Sequence, residues 1–343
     1  MVVFKYFGSF TSKYRLFLLL FSCMKILQEK SDCCGAKIIR FGGKRRQCVA
    51  CKKTWRIRPA KQGRKALCRQ QNYLDKVFRH DFFVKQLAEY SSLSADAIYK
   101  RFSRNLSTLI SGKRANRIRG EKLILLIDAE WQYFKGDLWT MYFVSTKSID
   151  SQAVTVFDPL LRLGKENISG WKEILSLLPK SVKRRVIAIV SDGIRGIETV
   201  AEDNDWIIQR CHFHLLSQLE KRRGKRATTV GRLVREEICC SVKLALSETS
   251  KRRLNILCQR LATLASDAGC PKQMKKIVRE FLRRSEEFRN YLNYPELNLP
   301  TTTNVMESLN SFIRKKTGTV NSPKAWLRWA TAAVRLKSKF TCK

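Results

Sequence analysis

Two aspartates stand where apolar runs end, in Leu125-Leu126-Ile127-Asp128 and in Ile189-Val190-Ser191-Asp192-Gly193. Such runs read as strands buried on both faces, and in open α/β sheets active sites form beyond the carboxyl ends of the strands. An acid placed there in a basic protein is either neutralised by arginine or holds a cation. Two of them on adjacent strands converge into a hard-oxygen site suited to Mg²⁺ or Mn²⁺. Taken singly, each aspartate is equally a turn or cap residue. A third acid is expected, and Glu307 in Thr301-Thr302-Thr303-Asn304-Val305-Met306-Glu307-Ser308-Leu309-Asn310 is the best candidate, on a C-terminal helix. By itself the Asn304-x2-Glu307 spacing also spells a capping box, in which the carboxylate only satisfies a backbone N–H.

The cysteines offer a second chemistry. Residues 31–58 hold Cys33, Cys34, Cys48 and Cys51 around the turn Gly42-Gly43-Lys44-Arg45-Arg46 and read as a small zinc ribbon. Structural zinc takes four ligands in a tetrahedron, usually from two Cys-x2-Cys knuckles, and Cys48-x2-Cys51 is one of them. The other is irregular, because Ser31 occupies its leading position. Either Cys33 substitutes, or the site has three cysteines, or it binds no metal. Cys211-x2-His214 is half of a further metal motif, with Cys239, Cys240, Cys258 and Cys270 unplaced; a packed Cys211 and a hydrogen-bonded His214 are the simpler expectation.

The surrounding pattern says which elements carry these groups. From residue 65 to 110 the apolar spacing is helical, with Leu74, Val77 and Phe78, then Phe83, Val84 and Leu87, then Ala97, Ile98 and Phe102. Ser94, after Ser91-Ser92-Leu93, is a natural N-cap for a helix bearing Tyr99, Lys100, Arg101 and Arg104. That layout fits a helix-turn-helix whose last helix enters the major groove, and equally a helical linker with a solvated basic face. After Gly120 the texture becomes strand-like: 123–127, 139–144 and 153–157, then a helix over 171–178, then strands at 186–190 and 206–210. A mixed α/β sheet covered by helices is expected over 120–340, with a basic helical insertion at about 213–292.

The chain has 343 residues, 68 Lys and Arg against 29 Asp and Glu, and a formal charge of +39 spread along its length. Such a surface requires a polyanion, and nucleic acid suits this aromatic-bearing globular composition better than a membrane. Twelve irregularly spaced cysteines, two pairs of them adjacent in sequence, fit a reducing compartment with some metal binding. Lys13 and Arg15 before Leu16-Phe17-Leu18-Leu19-Leu20-Phe21 imitate a secretory leader, but the apolar run is very short and no small-residue cleavage site follows. Residues 1–30 are unassigned, and a start at Met24 is the alternative expectation.

These residues together resemble the Mutator-like transposases and their bacterial insertion-sequence relatives, within the DDE group. The resemblance covers roughly 120–335. It rests on the strand ending in Asp128, on Trp171 before the second aspartate strand, on Ser191-Asp192-Gly193-Ile194-Arg195-Gly196, on Gln209-Arg210-Cys211-His212-Phe213-His214 and on Thr302 to Ser308. It implies an RNase H-like core in which Asp128, Asp192 and Glu307 hold two Mg²⁺ or Mn²⁺ ions for in-line phosphoryl transfer, with Cys211 and His214 supporting the site. The zinc-ribbon and helix-turn-helix front end is similar to that of several bacterial members.

The implied partners are double-stranded DNA, as element ends and target, and a second copy of the chain. No membrane and no small-molecule substrate are expected, and the compartment is the bacterial cytoplasm at the nucleoid. Lys100, Arg101 and Arg104 are expected to read the ends, and Lys221, Arg222 and Arg223 to contact phosphates. The rivals are an inactivated, transposase-derived repressor and an RNase H-like nuclease that cuts without joining. Serine or tyrosine recombinase chemistry is disfavoured, because no Ser or Tyr sits in an arginine-rich motif that would activate it.

Overall fold

The structure is a computed structural model. It describes residues 31–341 except 32, 42–44, 57–72, 80–82, 90–92, 113–117, 119, 225, 227, 319 and 337–339. The leader-like segment, Met24, Gly42 to Lys44 and Ser91-Ser92 lie outside the described residues. Two units form, 1–68 and 69–343.

In the first unit β1 (Ile38–Arg40), β2 (Arg45–Cys48) and β3 (Thr54–Arg56) make an antiparallel meander, with Ile38 opposite Cys48 and Arg46 opposite Trp55. Cys33 and Cys34 precede β1, while Cys48 ends β2 and Cys51 lies in the turn that follows. Two chain reversals therefore deliver two sulfurs each to one place.

The second unit opens with α1 (73–79), α2 (Val84–Glu89) and α3 (Ala95–Ser111). Ser94 caps α3 as its sequence predicts, its hydroxyl accepting from Ala97 N at 3.3 Å. Phe102 of α3 stacks on Phe78 of α1. Lys100, Arg101 and Arg104 point to solvent.

The sheet follows: β4 (Leu123–Phe134), β5 (Asp137–Ser148), β6 (Ala153–Val156), β7 (Leu160–Leu163), then α4 (Ile168–Ser176), α5 (Lys180–Lys183), β8 (Val186–Ser191), α6 (Ile197–Glu202) and β9 (Ile207–Arg210). The order across it is β10-β6-β5-β4-β8-β9, with β7 also on β5 and β10 (Phe340–Thr341) at the edge. β4 pairs antiparallel with β5 and parallel with β8, and β8 pairs parallel with β9. The strands run further than their apolar stretches, because β4 and β5 continue as a long hairpin beyond the core. β7 and β10 are short edge strands with no apolar run to mark them.

Alternation along the strands divides the core. Ile124 and Leu126 join Met141, Phe143 and Val190 on one face, beneath α12 (Asn304–Thr317) and α13 (Pro323–Leu336). Leu123, Leu125 and Ile127 join Tyr142, Val144 and Ile189 on the other, under Trp171 and Ile174 of α4 and Ile197 and Val200 of α6. Between β9 and α12 lies the helical insertion: α7 (His212–Arg223), α8 (Arg232–Ser247), α9 (Lys251–Ser266), α10 (Lys272–Arg283) and α11 (Ser285–Asn293). It keeps its own core of Leu219, Ile238, Val242, Leu261, Met274, Val278 and Phe281.

Candidate active site

Asp128 shares the parity of Ile124 and Leu126, so its carboxylate emerges from β4 on the face covered by α12. On that helix Glu307, Asn310 and Arg314 lie at i, i+3 and i+7 and form one stripe. On β4 Asp128 and Glu130 lie two apart and also share a face. The stripe meets the strand: Asn310 Nδ2 donates to Asp128 Oδ2 at 2.8 Å, and Arg314 Nη1 pairs with Glu130 at 3.1 Å. Ala129 N donates to the other Asp128 oxygen at 2.9 Å.

Glu307 is not a cap. The residue before α12 is Thr303, which makes no side-chain capping bond, and Asn304 is the first residue of the helix. The Glu307 carboxylate instead receives His214 Nε2 at 3.0 Å. Ligand atoms of Asp128, His214 and Glu307 all lie within 4.8 Å of one another, at a spacing that suits a metal ion.

Asp192 follows β8 directly, on the strand parallel to β4, but is exposed and outside that triplet. Its charge nevertheless reaches the site. Burial, then Glu307 and Asp192, push the Asp128 carboxyl well above its usual range, against the smaller opposing pull of His214. A buried acid with acidic neighbours is a poor place for bare negative charge and a good one for a cation. The carboxylate oxygens of Asp128 and Glu307 are the donors that fit a divalent ion of the Mg²⁺ or Mn²⁺ type, while His214 is already committed to Glu307.

The Gln209 to His214 segment is the scaffold around these groups. Gln209 binds the backbone of Phe288 and Tyr291 on α11, and His212 Nε2 meets Phe288 O at 2.6 Å. Arg210 is buried and gathers Glu198 at 2.6 Å and Glu287 at 2.5 Å, and its Nη1 donates to Gly193 O at 3.3 Å. Gly193 has φ +91, and a Cβ there would overlap the Arg210 guanidinium, so glycine is required next to Asp192. Cys211 is buried, with its sulfur 3.4 Å from Thr303 Oγ1. Burial alone would lower the His214 imidazole, but Cys211, Glu307 and Asp128 together raise it to about 11. The cation thus formed holds Glu307 in place.

Sequence reasoning missed three polar neighbours. Asn310 orients Asp128, a role that its i+3 spacing from Glu307 signals. Glu130 is buried beside Arg314, and its carboxyl is pushed up to about 7 by burial. Glu166 accepts from Trp171 Nε1 at 2.8 Å, and burial and then the Asp192 charge raise it to about 7. Trp171, buried edge-on against Tyr142, is therefore more than core. Glu166 lies in the loop ahead of α4, where no periodicity marks it. Of the expected phosphate contacts, Lys221 is exposed, Arg223 pairs with Glu220, and Arg222 lines a cavity that reaches Asp192.

In the first unit, the sulfurs of Cys33, Cys34, Cys48 and Cys51 lie within 4.8 Å of one another, as tetrahedral coordination of one zinc requires. The irregular knuckle is accommodated because buried Ser31 turns its hydroxyl to Cys48 Sγ at 3.2 Å. That contact, then the Cys51 amide, lower the Cys48 thiol to about 6; Cys34, hydrogen-bonded to Cys51, is pushed up to about 12. Among the described residues no helix is long and apolar enough to cross a membrane.

No curated protein matches the chain. Residues 161–325 match the family model described as Transposase, Mutator family. The matched span contains Asp192, Cys211, His214 and Glu307 and begins beyond Asp128, which the fold supplies from the neighbouring strand. Over residues 161–325 the chain is thus similar to the Mutator family of transposases.

Proposed function

We propose that the protein is a DDE-type DNA transposase with an RNase H-like core, which cuts the ends of its insertion sequence and joins them to target DNA. The observation that carries this is the meeting of β4 and α12, which brings Glu307 to Asp128 across the long helical insertion, with Asp192 on the adjacent parallel strand. The order β6-β5-β4-β8-β9, antiparallel on one side of β4 and parallel on the other, suits the RNase H-like reading.

Asp128, Asp192 and Glu307 would hold two divalent ions. When bound, such ions lower the pKa of the attacking hydroxyl and stabilise the leaving 3′-oxygen in an in-line displacement. Asn310 fixes one Asp128 oxygen and Ala129 N the other, so the orientation of the carboxylate that would hold a metal is set by the fold. His214 orients Glu307, so Cys211 and His214 are positioning residues. Arg210 and Gly193 fix the backbone that presents Asp192. Water first serves as nucleophile, then the freed 3′-hydroxyl, at the same phosphorus geometry.

DNA would be engaged by Lys100, Arg101 and Arg104 on the last helix of a helix-turn-helix and by phosphate contacts from Lys221 and Arg222. The four-cysteine unit would take one zinc. Two ends must be joined together, so at least two copies act on DNA.

The test is cleavage and joining of a labelled duplex carrying the element's ends in Mg²⁺ or Mn²⁺. Asp128→Asn, Asp192→Asn and Glu307→Gln should each abolish both reactions while binding persists. A wild-type protein that binds but never cuts would favour a repressor, and cutting without joined products a simple nuclease.

A further inference from the structure

A cavity of about 640 Å³ opens beside Asp192 and Gly193 and runs between the sheet and the helical insertion. This is within the range of about 300–1,000 Å³ in which small ligands are held, and far too small for a duplex. Its floor is apolar, from buried Phe281 and Phe288. Arg195, Arg222, Lys276 and Arg283 line it as cations, with the amides of Gln218 and Gln273 between them. Of its acids, Glu198 is engaged by Arg210 and Glu280 by Arg283 and Arg284, which leaves Asp192 at the end towards the sheet.

A second hollow, of about 660 Å³, shares Gln273, Lys276, Glu280 and Arg283 with the first and continues along α10. That helix buries Met274, Val278 and Phe281 on one side. On the other side Lys272, Lys275, Lys276, Arg279 and Arg283 fall at i, i+3, i+4, i+7 and i+11, a single cationic stripe. Lys272, Lys275, Lys276 and Arg279 make no ion pair among the described residues, so their charges are available to an outside anion. The stripe ends at the cavity, and the cavity ends at Asp192.

We propose that the cavity is a subsite for one unpaired nucleotide of the DNA strand flanking the cleaved phosphate, and that the α10 stripe carries the next phosphates of that strand. An apolar floor with amide and guanidinium walls suits a base, which offers a flat face and a polar edge. Regularly spaced cations suit a backbone. The proposal rests on the transposase reading, which supplies the strand and the cut. It adds that the flank is bound melted, not as duplex, and that the insertion does the binding.

The experiment measures binding without cleavage, on the full chain in Ca²⁺. One probe is a duplex with a single-stranded flank of about ten nucleotides, the scale of single-strand sites; the other is the same duplex with that flank paired. The variant replaces three exposed cations, Lys272→Gln, Lys276→Gln and Arg279→Gln. Each single-strand phosphate contact contributes about 0.7 to the slope of log K against log salt, so the slope for the single-stranded flank should fall by roughly 2. The paired flank should show little change.

In parallel, 4-thiothymidine placed along the single-stranded flank should crosslink at one or two positions to peptides spanning 272–288. An equal loss of slope on both probes would make the stripe a duplex track and overturn the proposal, as would an unchanged slope. Crosslinks falling wholly outside 272–288 and 218–222 would overturn the cavity assignment even if the variant folds poorly. All these readouts are of binding, so a protein that cuts and joins normally yet fails them sinks this inference alone. One that passes them without ever cutting sinks the transposase reading instead.

Discussion

Replacing Glu166 by glutamine should make the protein more stable at alkaline pH and leave it nearly unchanged at acid pH. The Glu166 carboxyl lies at about 7 where 4.5 is ordinary, chiefly because it is buried and secondly because Asp192 repels it. The folded state therefore holds a proton that the unfolded chain has already released. With the folded pKa above the unfolded one, the associated stability is fully present below about 4.5 and is lost as pH rises through about 7. The interval corresponds to about 3.5 kcal/mol at most, at about 1.4 kcal/mol per pH decade. Glutamine keeps an oxygen for Trp171 Nε1 and has no proton to lose. In metal-free buffer, urea midpoints of wild type and Glu166→Gln should nearly coincide at about pH 4, and the variant should gain by up to about 3 kcal/mol at about pH 8. Adding Asp192→Asn should shrink the gain, because one cause of the shift is removed. An equal effect of Glu166→Gln at both pH values would refute the placement of Glu166 in a buried, acid-crowded site.

Three further outcomes follow from the same geometry. Gly193→Ala meets both a positive φ and the Arg210 guanidinium, so it should cost about 1–3 kcal/mol by thermal unfolding and depress cleavage. His214→Gln should lower the rate of DNA cleavage by about 10–100-fold, the usual effect of losing a positioning partner, with DNA affinity unchanged; loss of affinity alone would contradict its role at Glu307. Purified protein should carry about one zinc per chain, and Cys48→Ser should lower that content while Ser31→Ala leaves it largely intact; metal-free wild type would place the four thiols outside metal chemistry.

The two aspartates were legible because a strand buried on both faces leaves an uninterrupted apolar run, and the acid that breaks it stands out; only Asp192 follows the end of its strand, whereas Asp128 lies within β4, which continues into the hairpin with β5 to Phe134. Ser94 was legible for a comparable local reason, as a cap ahead of a periodic helix. The place of Glu307 was not legible in its own neighbourhood, since Asn304 and Glu307 have capping-box spacing; the side chain instead meets His214, distant in sequence. Glu166 and the cavity beside Asp192 depend on side chains from separate elements, with no periodic mark in any of them. The α10 stripe was present in the sequence as charge on a helical period, but a charge run is ordinarily a solvated face. Only its continuity with the cavity gives it a direction.

The most direct test of the central claim is metal-directed backbone cleavage, with Fe²⁺, ascorbate and peroxide added to the protein and the cut sites mapped by mass spectrometry. Cuts should cluster around Asp128, Asp192 and Glu307, disappear in excess Mg²⁺ and be lost in Asp128→Asn. Cuts confined to other segments, or indifferent to Mg²⁺, would contradict a shared metal centre built by these three acids.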